Sequence, residues 1–175
     1  MEKNLNVKKM ILNAILIAIG ALLHQITPAL GLPMQPDLAL VMLFIIILIN
    51  KDYKTTLISS IIMGVITALT TKFPGGQLPN IIDKLVTAHL IFFTFKIMGE
   101  KVLDFVKIVI ALSLGTVISG LVFLGSASII VGLPGPFVVL VSTVVIPAAI
   151  MNIFLGIILY KAIGIALKAT RAEIV

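Results

Sequence analysis

The stretch T71-KFPGGQLPNIIDKLVTAHLIF-F93 (Thr71 to Phe93) runs from a Pro/Gly-rich turn straight into an apolar segment. Pro79 stands where a helix begins, because a missing N–H costs nothing in a first turn whose N–H groups have no helical acceptor. Beyond it the residues are those of a membrane helix, yet Asp83 and Lys84 sit side by side within about two turns of its start. Charge inside a bilayer is costly and is kept for a purpose. This segment therefore predicts both a helical membrane fold and a place to look for its function.

The rest of the chain repeats the pattern without the charges. Of 175 residues, 60% are hydrophobic and 11% charged, about half the charged fraction of a soluble domain, and the mean hydropathy is +1.25. Apolar runs fall at 9–27, 37–50, 54–70, 79–98, 104–131 and 138–165. A span needs about 20 apolar residues, so the second run is short and is expected to pack among its neighbours. The N-terminus has an apolar core but no convincing cleavage site, and it reads as a retained first helix. The expected protein is all-α, a single integral membrane domain over residues 1–175 with six transmembrane helices.

Charge orients it. With six spans and a cytoplasmic N-terminus, the inner segments hold Lys3, Lys8, Lys9, Lys51, Lys54, Lys96, Lys101, Lys107, Lys161, Lys168 and Arg171. Only Lys72 and Lys84 of the 13 basic residues are left towards the outside, so both termini are expected in the cytoplasm. Seven of the eight prolines lie in the outer connections, Pro28, Pro33, Pro36, Pro74, Pro79, Pro134 and Pro136, together with Gly31, Gly75, Gly76, Gly132 and Gly135. Such loops are shaped by restricted and permissive backbone. They either wall an outward-facing site or simply end helices.

Several chemistries are excluded. The chain has no cysteine, so thiol catalysis and Cys metal sites are ruled out. It has no G-x-x-x-x-G-K-[ST] phosphate loop and no H-E-x-x-H. Its two histidines, His24 and His89, fall in different helices, and no internal repeat marks an inverted-repeat carrier. No catalytic cluster or resident cofactor is expected, and the chain is read as a small binding protein energised from elsewhere.

Asn80, Asp83, Lys84 and Thr87 fall on roughly one face of the fourth helix near its outer end. Asp83 suits an ammonium, while Lys84 and the helix N-terminal N–H groups suit a carboxylate. Together they fit a zwitterion such as an amino acid. The alternative is that Asp83 stabilises its own helix start and Lys84 snorkels to the headgroups. Phe73 and Phe137 at outer loops wall a flat ligand or face lipid and core. His24 is a pocket residue or an interfacial anchor, and Asn152 a ligand contact or an interhelical hydrogen bond.

Three segments, "LHQITPALGLPMQPDLALVMLF" from Leu23, "ITALTTKFPGGQLPNIIDKLVTA" from Ile66 and "GLVFLGSASIIVGLPGPF" from Gly120, resemble the tryptophan-specific S components of energy-coupling factor (ECF) transporters. The resemblance runs from about Lys9 to Tyr160. It implies a six-helix substrate-binding subunit in the bacterial cytoplasmic membrane, taking up tryptophan or a closely related aromatic compound. Its implied partners are a transmembrane coupling protein and two cytoplasmic ATPase subunits, which use the ATP. Family members carry A-x-x-x-A on the first helix for docking, matched here by Ala14 and Ala18, with Gly20 and Ala21 adjoining. Phe73, Gln77 and Phe137 would then close over the indole. An S component for another small nutrient such as a vitamin, or a self-sufficient small carrier, is the alternative.

Overall fold

The computed structural model describes residues 2–28 and 35–169, with side chains from Val7 onward. Most of the expected outer loop 28–36, including Gly31 and Pro33, lies outside the described residues, as do Arg171 and the Lys3 side chain. The described residues form six helices and no strand: α1 (Glu2–Ile26), α2 (Leu38–Asn50), α3 (Tyr53–Leu69), α4 (Gln77–Met98), α5 (Asp104–Ile130) and α6 (Phe137–Ala169).

Local chemistry sets the ends. Asp37 caps α2 by accepting from the Leu40 N–H at 2.9 Å, and Asp52 caps α3 by accepting from the Thr55 N–H at 2.8 Å. Such caps satisfy N–H groups that have no helical acceptor. The turn between α2 and α3 is only Lys51 and Asp52, which works because Lys51 takes the left-handed conformation at φ 56°. α4 starts two residues before Pro79. A proline is tolerated anywhere in that first turn, and the first i−4 bond runs from the Asn80 N–H to the Gly76 carbonyl at 3.0 Å. α6 contains Pro147, which removes a helical hydrogen bond and crowds the carbonyl four residues earlier. The backbone widens into a π turn at Val141–Val145 directly ahead of it, and α5 has a second at Ala111–Gly115.

α1, α5 and α6 are long and apolar enough to cross a membrane. α2 has 13 residues and α3 has 17. α4 is long enough at 22 residues but carries the Asp83–Lys84 pair. α2 is apolar all round, and it lies at the centre of the bundle against all five other helices. Every residue from Leu38 to Leu48 is buried, so its short length is hidden by protein on every side.

Small residues let the helices close on one another. A Cβ on Gly64 would stand 3.2 Å from the Cα of Ile81, so α3 and α4 touch backbone to backbone there. Gly20 packs α1 onto Met42 and Met63; it faces the core and lies apart from the exposed Ala14 and Ala18. At the end of the bundle away from Pro79, Asn13 and Asn50 exchange two amide hydrogen bonds, at 3.1 and 2.8 Å, between α1 and α2. The outside of the bundle is an apolar belt, with Ile15, Ile19 and Leu22 on α1, Ile61 and Val65 on α3, and Ile150 and Phe154 on α6 exposed.

Candidate functional site

Lys84 lies wholly inside the bundle, with its side chain 0% exposed. Its Nζ sits 2.6 Å from Asp83 Oδ2 on its own helix and 2.6 Å from Asp37 Oδ2 at the start of α2. An isolated ammonium could not remain there, because desolvation costs several kcal/mol, roughly, and only good pairing offsets it. The second carboxyl oxygens are also engaged. Asp83 Oδ1 accepts from Thr87 Oγ1 at 3.0 Å, and Asp37 Oδ1 accepts from the Leu40 N–H. Counted at their ordinary protonation states, two carboxylates surround one ammonium, a formal charge of −1.

The excess negative charge faces a cavity of about 70 Å³ enclosed by all of the helices except α3, together with the α3–α4 loop. The Asp37 side chain is 19% exposed, against 2% for Asp83. His24 from α1 and Gln35 ahead of α2 form one wall. His24 Nδ1 lies 2.9 Å from Thr70 Oγ1. That hydroxyl already donates to the Ile66 carbonyl at 2.8 Å, which assigns the ring proton to Nδ1 and leaves Nε2 as the acceptor nitrogen. Gln35 Nε2 donates to the His24 carbonyl at 2.7 Å.

Thr116 and Ser119 on α5 and Asn152 on α6 line the opposite wall. Asn152 is 0% exposed, and its Nδ2 reaches the Asp37 carbonyl and Thr116 Oγ1, both at 3.4 Å. Phe73 and Phe123 close the cavity edge to face, with centroids 5.3 Å apart and planes at 89°. The loop bearing Phe73 is anchored by Lys72, whose Nζ donates to the Thr27 carbonyl at 2.5 Å, beyond the end of α1. That loop fits closely against the end of α5, since a Cβ on Gly75 would fall 2.6 Å from Val131 Cγ1.

Five sequence-predicted residues line this cavity: Asp83, Asn80, Phe73, His24 and Asn152. Asn80 is pinned by its amide, which donates to the Gly76 carbonyl at 2.8 Å. Lys84 is buried beneath the wall and does not snorkel; its charge is directed at the two carboxylates. Gln77 and Phe137 are exposed and lie outside the lining. Sequence reasoning missed Asp37, Gln35, Thr116, Ser119 and Phe123. Asp37 left one signal, an acidic residue directly before a wholly apolar helix. Among the described residues, no group of three or more His, Asp or Glu side chains is placed to hold a metal.

Chemically, the cavity offers anionic and neutral acceptors at its base and aromatic faces at its mouth. This suits a small cation with a flat apolar part. A family described as "Tryptophan transporter TrpP" matches residues 6–168. The chain is also similar to three proteins described as "Probable tryptophan transport protein". It is 49% identical to that of Clostridium perfringens over 172 residues, covering 93% of this chain and 94% of the relative. It is 49% identical to that of Clostridium acetobutylicum over 159 residues, 91% and 93% of the two chains. With that of Bacillus subtilis the identity is 43% over 161 residues, 92% and 93% of the two chains. No solved structure matches the chain.

Proposed function

The chain belongs to the TrpP family of tryptophan transporters, and on that premise we propose that it is the S component of an energy-coupling factor importer, capturing tryptophan in the cavity above Asp37 and Asp83. It is a multi-pass protein of the cell membrane and a transport protein, not an enzyme. The observation that carries the proposal is the buried, net-negative cluster opening onto an aromatic-edged cavity at one end of the bundle.

In this account all six helices span, both termini are cytoplasmic, and the cavity opens outward. The 11-to-2 division of basic residues supports that orientation. The shortness of α2 is compatible with spanning because its neighbours, rather than lipid, surround it. Asp83, Asn80, His24, Phe73 and Asn152 form the substrate site, and Lys84 holds its two carboxylates in place. At about 70 Å³ the cavity is smaller than the roughly 300 Å³ or more of ordinary ligand pockets. Tryptophan therefore enters by displacing the loop that carries Phe73, and the exposed Gln77 and Phe137 close over the indole afterwards.

The chain binds no cofactor in this proposal, and ATP is used by two partner ATPases acting through a transmembrane coupling protein. Ala14 and Ala18 lie on the exposed face of α1, where small side chains let a partner helix approach closely. Reconstitution tests the division of labour. Vesicles holding this protein alone should bind tryptophan without accumulating it, and adding the coupling protein, the ATPases and ATP should produce uptake. Concentrative uptake by the protein alone would mean a self-sufficient carrier.

A further inference from the structure

We infer that Asp37, with the side-chain oxygens of Asn152 and Gln35, is the receptor for the substrate's ammonium group, and that the site selects ligands by that group rather than by their carboxylate. The inference rests on the cavity being the tryptophan site. Its starting point is two buried acceptors without partners among the described residues, Asn152 Oδ1 and Gln35 Oε1. Buried polar atoms are almost always satisfied, so two orphans on one cavity point to a missing donor.

The orientation of both amides is settled by their other ends. Asn152 Nδ2 faces the Asp37 carbonyl and Gln35 Nε2 faces the His24 carbonyl. A carbonyl accepts and cannot donate, so turning either amide over would set oxygen against oxygen. The free atom is therefore the oxygen in each. Beside them lies the Asp37 carboxylate, the more exposed of the two anions. An ammonium has three N–H donors, and these three residues offer three acceptors around a site with a formal charge of −1.

The same geometry removes the obvious carboxylate receptor. Lys84 Nζ is held by two carboxylates, is fully buried and does not line the cavity. An entering carboxylate would meet net negative charge at the base. It has to stay at the mouth, near Lys72 and Thr71, where solvent weakens its contribution. Lys84 thus acts as a positioning residue that aims Asp37.

Two analogues separate the two ends of the substrate: tryptamine keeps the ammonium and lacks the carboxylate, and indole-3-propionate does the reverse. Against tryptophan bound to the purified full chain, tryptamine should compete within about tenfold of tryptophan itself. Indole-3-propionate should be weaker than tryptamine by about 30-fold or more, the range for an unpartnered desolvated charge. Asp37→Asn, which keeps a good helix cap, should weaken tryptophan by a similar factor and abolish the preference for tryptamine. Better competition by indole-3-propionate than by tryptamine overturns the inference. So does near-native affinity of Asp37→Asn when Phe73→Ala or Asn80→Leu loses binding, and that outcome leaves the cavity as the substrate site. Near-native binding in all three variants overturns the site assignment and the inference together.

Discussion

Replacing Lys84 by methionine keeps an unbranched side chain only one atom shorter and removes the one cation between two anions. Asp37 Oδ2 and Asp83 Oδ2 each lie 2.6 Å from Nζ, so they are separated by no more than twice that distance. At about 5 Å and an effective dielectric near 20, two unit charges repel by about 3 kcal/mol. Removing one member of a buried ion pair typically costs about 3–5 kcal/mol, and the two figures agree. Lys84→Met should therefore melt well below the parent protein and bind tryptophan at least about tenfold more weakly. Adding Asp83→Asn removes the repulsion and leaves Asp37 to supply the single net negative charge. The double variant should regain most of the stability and bring affinity back towards the parent, a coupling that additive effects would not produce. The chain contains no tryptophan, so the ligand's own fluorescence reports binding without background, while circular dichroism follows unfolding. Parent-like melting and affinity in Lys84→Met would refute the idea that this ion cluster builds the site.

Three further expectations follow from other parts of the structure. The cysteine-free chain allows topology to be read directly. A thiol at Gly135, where a Cβ meets nothing within 4 Å, should label only from outside, and one at the exposed Glu100 only from inside; the reverse would invert the orientation. Ala14→Leu with Ala18→Leu should abolish uptake by the full complex and leave binding by the isolated protein intact, whereas equal loss of both would make these residues part of the fold. Gly75→Ala meets both a φ of +72° and Val131, so it should cost about 1 kcal/mol or more and weaken binding several-fold. Val131→Ala should restore part of that loss, and unchanged affinity would show that this loop does not cover the ligand.

The helical architecture was legible because apolar runs and Pro/Gly punctuation are local signals. The ion cluster was not, for a geometric reason. Successive helical residues point about 100° apart, so the adjacency of Asp83 and Lys84 in sequence said little about where Lys84 would end. Its second partner, Asp37, comes from another helix, and nothing local in either segment records that contact. Asp37 itself reads as an ordinary cap before α2. Its side chain does both tasks, with Oδ1 on the Leu40 N–H and Oδ2 on Lys84. Gly20 illustrates the same limit, since small residues in one stretch of α1 turn to different neighbours, Gly20 inward to α2 and α3 and Ala14 and Ala18 outward. Gln77 and Phe137 are near the site by chain position, yet they are exposed and do not line it.

The most direct test of the central claim is a titration of the purified protein, free of any partner, with tryptophan, using tyrosine and vitamins as competitors. Saturable binding at one site per chain is expected, displaced poorly by tyrosine and not at all by vitamins, and lost when Asp83 is replaced by asparagine. No saturable tryptophan binding, or equal displacement by an unrelated vitamin, would contradict the account.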